Sequence, residues 1–417
     1  MKIKQLFLAV TIAATALFTN ITGKAQDLSP ELIELGKQLT QLYNVYNDAL
    51  YAQDKPRDFA LADDTMNKML GLFNQLSDDT RKQHADAILQ MQGNLYYDQA
   101  CLYSLLGKKE KAMNSLRQAC AHRWWDFAHV RQDHDLDSIR QCEGFDDIVM
   151  QMRRMSDYLL ILREGGDYRA STQRDTLPTI TYAPATDPGL KRVREHFHLD
   201  SVVAGAKSDA EQIQRLLTYI HNRIRHDGQH GNPPEMNSIA LDRACADGSR
   251  GLNCRGLATV LNECMLAMGF ESRFVTCIPR DYFTDCHVIN AVFCRSLDSW
   301  IWIDPTHNAW VTDPEGNLLG LNEVRARRIA GTPYCLNEEA NWNNQTKSTK
   351  EGYLDEYMTK NLYAMEICTH YGFGTEQQQG RSYIMLVPTK GEMTGYKATR
   401  CTSDAEWFWA APNTSKQ

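Results

Sequence analysis

The sequence predicts an α+β protein in which an α-helical N-terminal region precedes a domain with an antiparallel sheet. In residues 27–163 the apolar residues recur every three or four positions, which is the spacing of amphipathic helices. Later the period changes, because residues 272–278, 287–293 and 300–303 are short apolar runs rich in β-branched or aromatic residues. Polar turns separate these runs. A run of helices followed by a run of strands is typical of the α+β class.

Residues 1–25 have the composition of a secretory signal peptide. A basic start is followed by an apolar run over residues 6–18 and by small residues that end at Ala25. The apolar run is too short to span a bilayer and no other run approaches its length, so we expect no membrane span. No cysteine stands near the cleavage site, which argues against a lipid anchor there. We therefore expect a periplasmic or secreted protein whose mature chain begins at Gln26.

The charge balance of the 417-residue chain excludes one class of partner. The formal net charge is −7 at pH 7, and the signal peptide contains lysines and no acids, so the mature chain is more acidic still. We therefore expect no nucleic-acid partner. The twelve cysteines of an exported chain either form disulfides or remain as buried thiols, and none of their spacings is C-x-x-C.

Residues 26–163 are predicted to form an α-helical region. Ser29-Pro30 is a typical cap and first-turn pair, and a second helix is expected over residues 59–76. Farther on, two helical segments meet at Gly107 and carry small residues where they would touch, namely Ala100, Ala112 and Ala119. This helical pair resembles a tetratricopeptide repeat, and one such unit is evident. The region is therefore either a module that binds a protein or peptide partner or a structural helical cap.

Residues 164–189 are predicted to be a linker between two domains. They contain two glycines before Tyr168 and many Thr and Ser residues, together with Pro178, Pro184 and Pro188. A short strand is expected over residues 179–182. The second domain is predicted over residues 190–412, and its first clear helix begins with a capping box at Ser208.

The end of the second domain is expected to complete its sheet. Residues 331–344 are predicted to be irregular. Apolar residues at helical spacing over 354–362 indicate another helix, and residues 382–387 have the composition of a strand.

Cys254 lies at the predicted start of a helix in this second domain. Asn253 is a good N-cap, the apolar residues that follow recur at helical spacing, and Gly269 is a plausible stop. A thiol at a helix N-terminus lies at the positive end of the helix dipole, beside backbone N–H groups without intrahelical acceptors. That setting favours the thiolate, which is the nucleophilic form. A small buried core residue is the alternative.

His287 and Asp304 are predicted to lie near each other and near Cys254. His287 begins one predicted strand, and Asp304 ends the next. A hairpin through residues 295–299 would bring the start of the first strand and the end of the second to the same edge of the sheet. If the helix of Cys254 packs there, Cys254 can attack a carbonyl, His287 can transfer the proton, and Asp304 can fix the imidazole tautomer.

Three blocks around these residues resemble the transglutaminase-like superfamily. They are Gly251-Leu252-Asn253-Cys254-Arg255-Gly256-Leu257-Ala258, Asp285-Cys286-His287-Val288-Ile289-Asn290 and Trp302-Ile303-Asp304-Pro305-Thr306. The resemblance covers about residues 190–331 and, more loosely, the tail to residue 412. It implies a papain-like fold with Cys254, His287 and Asp304 as a catalytic triad. It does not by itself imply protein cross-linking.

The sequence therefore predicts a cysteine enzyme that cleaves amide or peptide bonds through a thioester at Cys254. The substrate would be a peptide or protein, and no cofactor is expected. Two alternatives stay open. The acyl group could pass to an amine, which would make the protein a cross-linking transglutaminase, or the chain could be a non-catalytic binding or scaffold protein.

Some neighbouring residues have other interpretations. Cys277, Cys286, His287 and Cys294 lie close together in the sequence, but their spacing does not match the paired ligands of zinc sites, so no metal is predicted. His307 follows Asp304 in a turn and is interpreted as a surface residue. Arg255 is interpreted as a solvated side chain at the helix start, with recognition of a substrate carboxylate as the alternative.

Overall fold

The computed structural model describes residues 28–169, 176–281, 285–393, 395–396 and 400–412. The predicted signal peptide lies outside these residues. The chain forms two compact units that divide between Asp157 and Tyr158. The predicted domain and linker bounds stay predictions. Among the described helices, none is both long enough and apolar enough to cross a bilayer.

The N-terminal unit is helical, which confirms the prediction for this region. Its first helix begins after Ser29, whose hydroxyl accepts a hydrogen bond from Leu32 N (3.3 Å), and Asp58 caps the second helix in the same way. Its helices are α1 (Pro30–Tyr51), α2 (Phe59–Leu72), α3 (Asp78–Gln83), α4 (Ala85–Leu105), α5 (Lys109–Ala121), α6 (Phe127–Gln132) and α7 (Phe145–Ser156), with 3-10 turns at Phe73–Gln75 and His134–Ile139.

The helical pair predicted around Gly107 is α4 and α5, which pack against each other. Gly107 has a φ of 68°, in the left-handed region that glycine adopts without strain, and it allows the chain to reverse between the helices. The small residues predicted at the contact are fully buried: Ala100, Ala112 and Ala119. The relation to tetratricopeptide repeats stays a prediction, because a helical pair alone is common to many helical proteins.

The second unit combines helices with an eight-stranded sheet, so the α+β class is confirmed. Its helices are α8 (Tyr158–Glu164), α9 (Pro188–His196), α10 (Leu199–Val203), α11 (Asp209–Arg223), α12 (Ser238–Cys245), α13 (Cys254–Ala267), α14 (Leu321–Ala330), α15 (Thr359–Asn361) and α16 (Ala405–Phe408). A π-helix covers Lys350–Met358, and 3-10 turns cover Arg295–Leu297 and Thr375–Gln377.

The large sheet has the strand order β12-β11-β9-β2-β3-β4-β5-β6. The strands of this unit are β1 (Thr181–Tyr182), β2 (Ser272–Ile278), β3 (His287–Cys294), β4 (Ser299–Asp304), β5 (Ala309–Thr312), β6 (Cys335–Leu336), β7 (Asn341–Trp342), β8 (Thr346–Lys347), β9 (Ala364–Cys368), β10 (His370–Tyr371), β11 (Tyr383–Leu386) and β12 (Cys401–Thr402). The strand pairs within the large sheet are antiparallel except β11 with β12, which is parallel.

The centre of this unit is α13 packed on β2 and β3. From Gly256 to Ala267 every residue of α13 is buried, as is every residue of β2 and β3. Strands covered on both faces are expected to be mostly apolar, and these two strands are rich in Val, Ile, Phe and Cys, with few polar residues such as Arg273 and Asn290. Since Cys254 stands at the start of α13 and His287 at the start of β3, the core fixes the positions of both residues.

The end of the domain differs in part from its prediction. The region predicted to be irregular contains two short strands, β6 and β7, which are too short to show an alternating pattern. The helix expected over residues 354–362 is mostly a π-helix that begins at Lys350. The strand expected over residues 382–387 is confirmed as β11.

Candidate active site

Cys254 is the first residue of α13, and its position depends on two asparagines. Asn253 caps the helix, because its Oδ1 accepts a hydrogen bond from Gly256 N (3.1 Å). Asn232 in turn accepts from Asn253 N (3.1 Å) and donates to Asn253 Oδ1 (2.7 Å). Gly256 permits this approach, since a Cβ atom there would lie 2.7 Å from Asn232 Oδ1. Half-buried Cys254 is thereby held at the rim of a cleft.

The segment before Cys254 pairs with the chain that follows α11. Leu252 N donates to Arg225 O (3.1 Å), and Asp227 N donates to Leu252 O (2.7 Å). Gly251 is required here, because a Cβ atom would lie 2.3 Å from Arg225 O. This short parallel bridge aligns His226 with Leu252, two residues before the thiol.

The hairpin of β3 and β4 brings His287 and Asp304 together. Pairing of Asn290 with Ile303 sets the register, so that the start of β3 lies at the end of β4. His287 Nε2 is 2.8 Å from Asp304 Oδ2, and both side chains are almost fully buried. His287 also has a side-chain hydrogen bond with Cys254. Since Nε2 faces Asp304, the other ring nitrogen, Nδ1, is left for the thiol.

Two further donors hold Asp304 in place. Its Oδ1 accepts a hydrogen bond from Thr306 N (2.8 Å), and its Oδ2 accepts one from the hydroxyl of Tyr353 (2.5 Å). Tyr353 lies in the π-helix and is buried. Asp304 is therefore a carboxylate with donors on both oxygens, which fixes its plane relative to His287.

The pKa values of the buried pair His287 and Asp304 are shifted in opposite directions. Burial alone would lower the pKa of His287, but the charge of Asp304 and the hydrogen bonds to Asp304 and Cys254 raise it to about 10. Burial acts to raise the pKa of Asp304, but the charge and hydrogen bond of His287 hold it well below its usual value. At neutral pH the pair is therefore an imidazolium and a carboxylate.

A cleft of about 740 Å³ opens above Cys254 and His287. It is lined by His226, by Trp342 and β8, and by His307 and Tyr357. The ring of Tyr357 lies 5.4 Å from that of His287, edge to face. Asp304 is not among the lining residues, because His287 stands between it and the cleft. The volume is in the range of sites for small ligands, about 300–1,000 Å³.

Two other histidines of the cleft have pKa values that are lowered, whereas the pKa of His287 is raised. Burial, opposed in part by the charge of Asp304, lowers the pKa of His307 to about 4, and burial together with the charge of His287 lowers that of His226 to about 4. Both are therefore neutral near pH 7. His307 is not the surface residue predicted, since it lines the cleft, packs on Tyr353 at 4.3 Å and bonds to Ser348 Oγ (2.9 Å).

Arg255 is not the solvated side chain predicted at the helix start. Its guanidinium lies 3.2 Å from Glu376 Oε1 and donates to Thr276 Oγ1 (2.8 Å). Burial would lower the pKa of Arg255, but the charge of Glu376 raises it. The cation beside Cys254 is thus partly neutralised by a buried carboxylate. A substrate carboxylate would have to compete with Glu376.

The cysteines and histidines near the triad do not form a metal centre in the described residues. Within those ranges no three His, Cys, Asp or Glu side chains converge as a metal site would require. Cys277 lies opposite His287 in the β2–β3 register, whereas Cys294 lies at the far end of β3. All twelve cysteines are in the described part of the chain, and none of them is in a disulfide.

The structure brings the three predicted residues together, and it adds others that the sequence did not indicate. Cys254, His287 and Asp304 meet at the ends of α13, β3 and β4. Trp342 and Tyr353 were missed, because they follow Asp304 by dozens of residues and belong to no recognisable block. His226 lies near the first block in sequence, which is a weak signal for a role in the cleft.

Residues 198–305 match the family model of the transglutaminase-like superfamily, whose members are in general papain-like cysteine enzymes. This segment is therefore a transglutaminase-like domain, and the resemblance predicted from the three sequence blocks is confirmed. The match contains Cys254, His287 and Asp304 and ends before the residues of 306–358 that complete the cleft. No curated protein and no solved structure matches the chain.

Proposed function

We propose that this protein is an exported cysteine amidase or peptidase that cleaves its substrate through a thioester at Cys254. One observation carries the proposal. A buried imidazolium–carboxylate pair, His287 and Asp304 with 2.8 Å between Nε2 and Oδ2, faces a thiol at the N-terminus of a helix. Acyl transfer uses a nucleophile, a proton carrier and a group that orients the carrier, and these three side chains support that assignment of roles.

The acylation step follows from these positions. The Cys254 thiolate attacks the carbonyl carbon, and the electron pair of the C=O π bond moves to oxygen. When the tetrahedral intermediate collapses, the C–N bond breaks and the imidazolium of His287 gives its proton to the leaving amine. Asp304 stays ionised and holds the imidazole, so that the neutral ring can next accept a proton from water.

Water is the proposed acceptor of the acyl group. His287 removes a proton from a water molecule, which attacks the thioester carbonyl, and the Cys254 thiolate leaves with the carboxylic acid released. Transfer to an amine uses the same thioester and would require a second substrate to bind. Hydrolysis needs no additional binding site, and for that reason we favour it.

The substrate is proposed to be a peptide or protein, since a cleft of about 740 Å³ at the protein surface can hold a few residues around a scissile amide. Export is proposed from the composition of residues 1–25. Mass spectrometry of the protein recovered outside the cytoplasm should then find Gln26 at its N-terminus. A chain that keeps Met1 there would contradict export by this signal.

Thiol alkylation tests the nucleophile without a known substrate. The full chain is treated with iodoacetamide from pH 5 to pH 9, and each labelled cysteine is identified by peptide mapping. Cys254 should be labelled faster than a reference thiol, because it lies at a helix N-terminus and is hydrogen-bonded to His287. Cys335 is exposed and serves as an internal reference within the same molecule. His287→Ala should remove the difference between the two thiols.

The same experiment can refute the proposal. If Cys254 is labelled no faster than Cys335 at every pH, the site is not a nucleophilic centre. Incubation with a peptide library, with and without an added primary amine, then separates the two acyl acceptors. A product heavier by the mass of the amine would replace hydrolysis with amine transfer.

A further inference from the structure

His226 lines the same cleft as Cys254 without belonging to the proposed triad. The bridge between His226 and Leu252 fixes its backbone next to the segment that leads into Cys254. Its side chain lines the same cleft as Cys254 and His287. Asn343 holds the same residue from the other side, because its Oδ1 accepts from His226 N (2.6 Å) and its Nδ2 donates to His226 O (3.0 Å).

The hydrogen bond from Trp342 determines which nitrogen of His226 carries a proton. Trp342 Nε1 donates to His226 Nδ1 at 3.3 Å. An indole N–H can only donate, so Nδ1 must accept and cannot itself be protonated. A neutral imidazole has one N–H group, and in His226 it is therefore at Nε2. The Trp342 contact thus makes the second ring nitrogen a donor.

The neutral state of His226 agrees with this hydrogen bond. Burial is the main cause that lowers the pKa of His226, and the positive charge of His287 adds to it. Protonation of Nδ1 would also place an N–H group of His226 against the N–H group of Trp342, and the two donors would repel each other. At neutral pH the ring consequently offers one donor of fixed identity.

The chemistry proposed for Cys254 creates an oxyanion that needs two donors. The backbone N–H of Cys254 is one, since the first-turn N–H groups of a helix have no intrahelical acceptor. We propose that the Nε2–H group of His226, fixed in this tautomer by Trp342, is the second donor to that oxyanion. This inference rests on the proposed function of Cys254.

The two donors stabilise the oxyanion while it exists. As the sulfur–carbon bond forms, the π electrons of the carbonyl move to its oxygen, which accepts hydrogen bonds from Cys254 N–H and His226 Nε2–H. Neither proton is transferred. When the C=O bond forms again, the leaving amine takes its electron pair and receives a proton from His287, and the two donors return to their initial state.

Two reagents distinguish an oxyanion donor from a residue that only supports the thiolate. p-Nitrophenyl acetate acylates Cys254 through a tetrahedral oxyanion, whereas iodoacetamide alkylates it by displacement at a tetrahedral carbon, with no oxyanion. Both rates are measured on the full chain by mapping the Cys254 peptide. His226→Phe keeps an aromatic ring and removes the donor, and His226→Gln replaces the donor with an amide N–H.

In His226→Phe, acylation should fall about 10²- to 10³-fold while alkylation stays within about twofold of the wild-type rate. His226→Gln should recover most of the lost acylation. Trp342→Phe, which lets the two tautomers mix, should lower acylation about three- to tenfold without changing alkylation. This third variant also tests the inference if His226→Phe does not fold.

Three results would overturn the inference. Equal loss of acylation and alkylation in His226→Phe would mean that His226 only supports the thiolate. Unchanged acylation in His226→Phe would mean that the ring takes no part in the reaction. Unchanged acylation in Trp342→Phe would refute the fixed tautomer. If instead the wild-type protein is not acylated at Cys254 at all, it is the proposed function that fails.

Discussion

Residues 198–305 and residues 306–358 contribute to the same cleft in different ways. The first segment matches the transglutaminase-like family model and supplies the thiol, the imidazole and the carboxylate. The second lies outside the match and supplies groups that contact those three or their neighbours. Tyr353 donates to Asp304 at 2.5 Å, and Trp342 donates to His226 at 3.3 Å.

The difference separates groups that are proposed to react from groups that fix a protonation state. A thiol, an imidazole and a carboxylate can perform acyl transfer in any protein that aligns them. Which nitrogen carries a proton, and how rigidly a carboxylate is held, depends on the donors around them. In this protein those donors come from a hairpin and a π-helix that follow the matched segment.

The largest effect is expected in the matched segment. Asp304→Asn should lower acylation of Cys254 by p-nitrophenyl acetate about 10⁴-fold, because an amide favours the wrong tautomer of His287. Alkylation of Cys254 at pH 6 should fall as well, since the imidazolium loses its carboxylate. Asp313→Asn is the matched control, because Asp313 is a turn carboxylate that bonds to Asn317 outside the cleft. If Asp313→Asn is as inactive as Asp304→Asn, the loss of acylation would be explained by misfolding and not by the His287 tautomer.

A smaller loss of acylation is expected when the Tyr353 hydroxyl, which donates to Asp304, is removed. Tyr353→Phe leaves Asp304 with two of its three donors, and a hydrogen bond to a charged group contributes about 1.5–3 kcal/mol. The unfolding free energy in urea should fall by that order, and acylation should fall about tenfold as His287 loses its fixed orientation.

Tyr334→Phe is the matched control for Tyr353→Phe. Its hydroxyl donates to Asp355, so the same type of bond is lost in the same part of the chain, away from the triad. We expect comparable destabilisation with unchanged acylation. If both variants lose activity in proportion to stability, Tyr353 supports the fold and does not position Asp304.

The first segment was largely predictable because its signals are local. Residues 287–293 and 300–303 are short apolar runs separated by a polar turn, and the hairpin that they form brings His287 to Asp304. Asn253 and Gly269 mark the ends of α13 by their own conformational preferences. Local signals of this kind determine the positions of Cys254, His287 and Asp304.

The second segment was not predictable because its contacts are distant in sequence. Trp342 bonds to a residue 116 positions earlier, and Tyr353 to one 49 positions earlier. The π-helix adds a second reason. Its i→i+5 bonds change which side chains share a face. A helix predicted from α-helical spacing therefore does not place Tyr353 on the side that faces Asp304.

Asn343 offers a smaller test of the same contrast. Asn343 and Asn344 are neighbours with φ values of 54° and 56°, so glycine can replace either without backbone strain. Asn343→Gly removes both hydrogen bonds to the backbone of His226 and should lower acylation about three- to tenfold. Asn344→Gly removes a bond to Asn222 and should leave acylation unchanged. Equal rates in the two variants would mean that the hairpin does not position His226.

A separate effect is expected in the pH dependence of stability, where the two segments oppose each other. His307 has a pKa of about 4 in the folded chain and about 6.5 when unfolded. Between these values the unfolded chain binds a proton that the folded chain does not, so stability falls as the pH drops from about 6.5 to 4. His287, with a folded pKa of about 10, loses its stabilising contribution as the pH rises from about 6.5 to 10.

His307→Gln should therefore flatten the acidic side of the stability profile and leave the alkaline side unchanged. The free energy of unfolding in urea is measured at intervals from pH 4 to pH 10 for the wild type and the variant. His370→Gln, at an exposed histidine of the same unit, is the control and should reproduce both sides of the wild-type profile. If His307→Gln also flattens the alkaline side, the two histidines titrate as one group, and the second segment contributes to the ion pair itself.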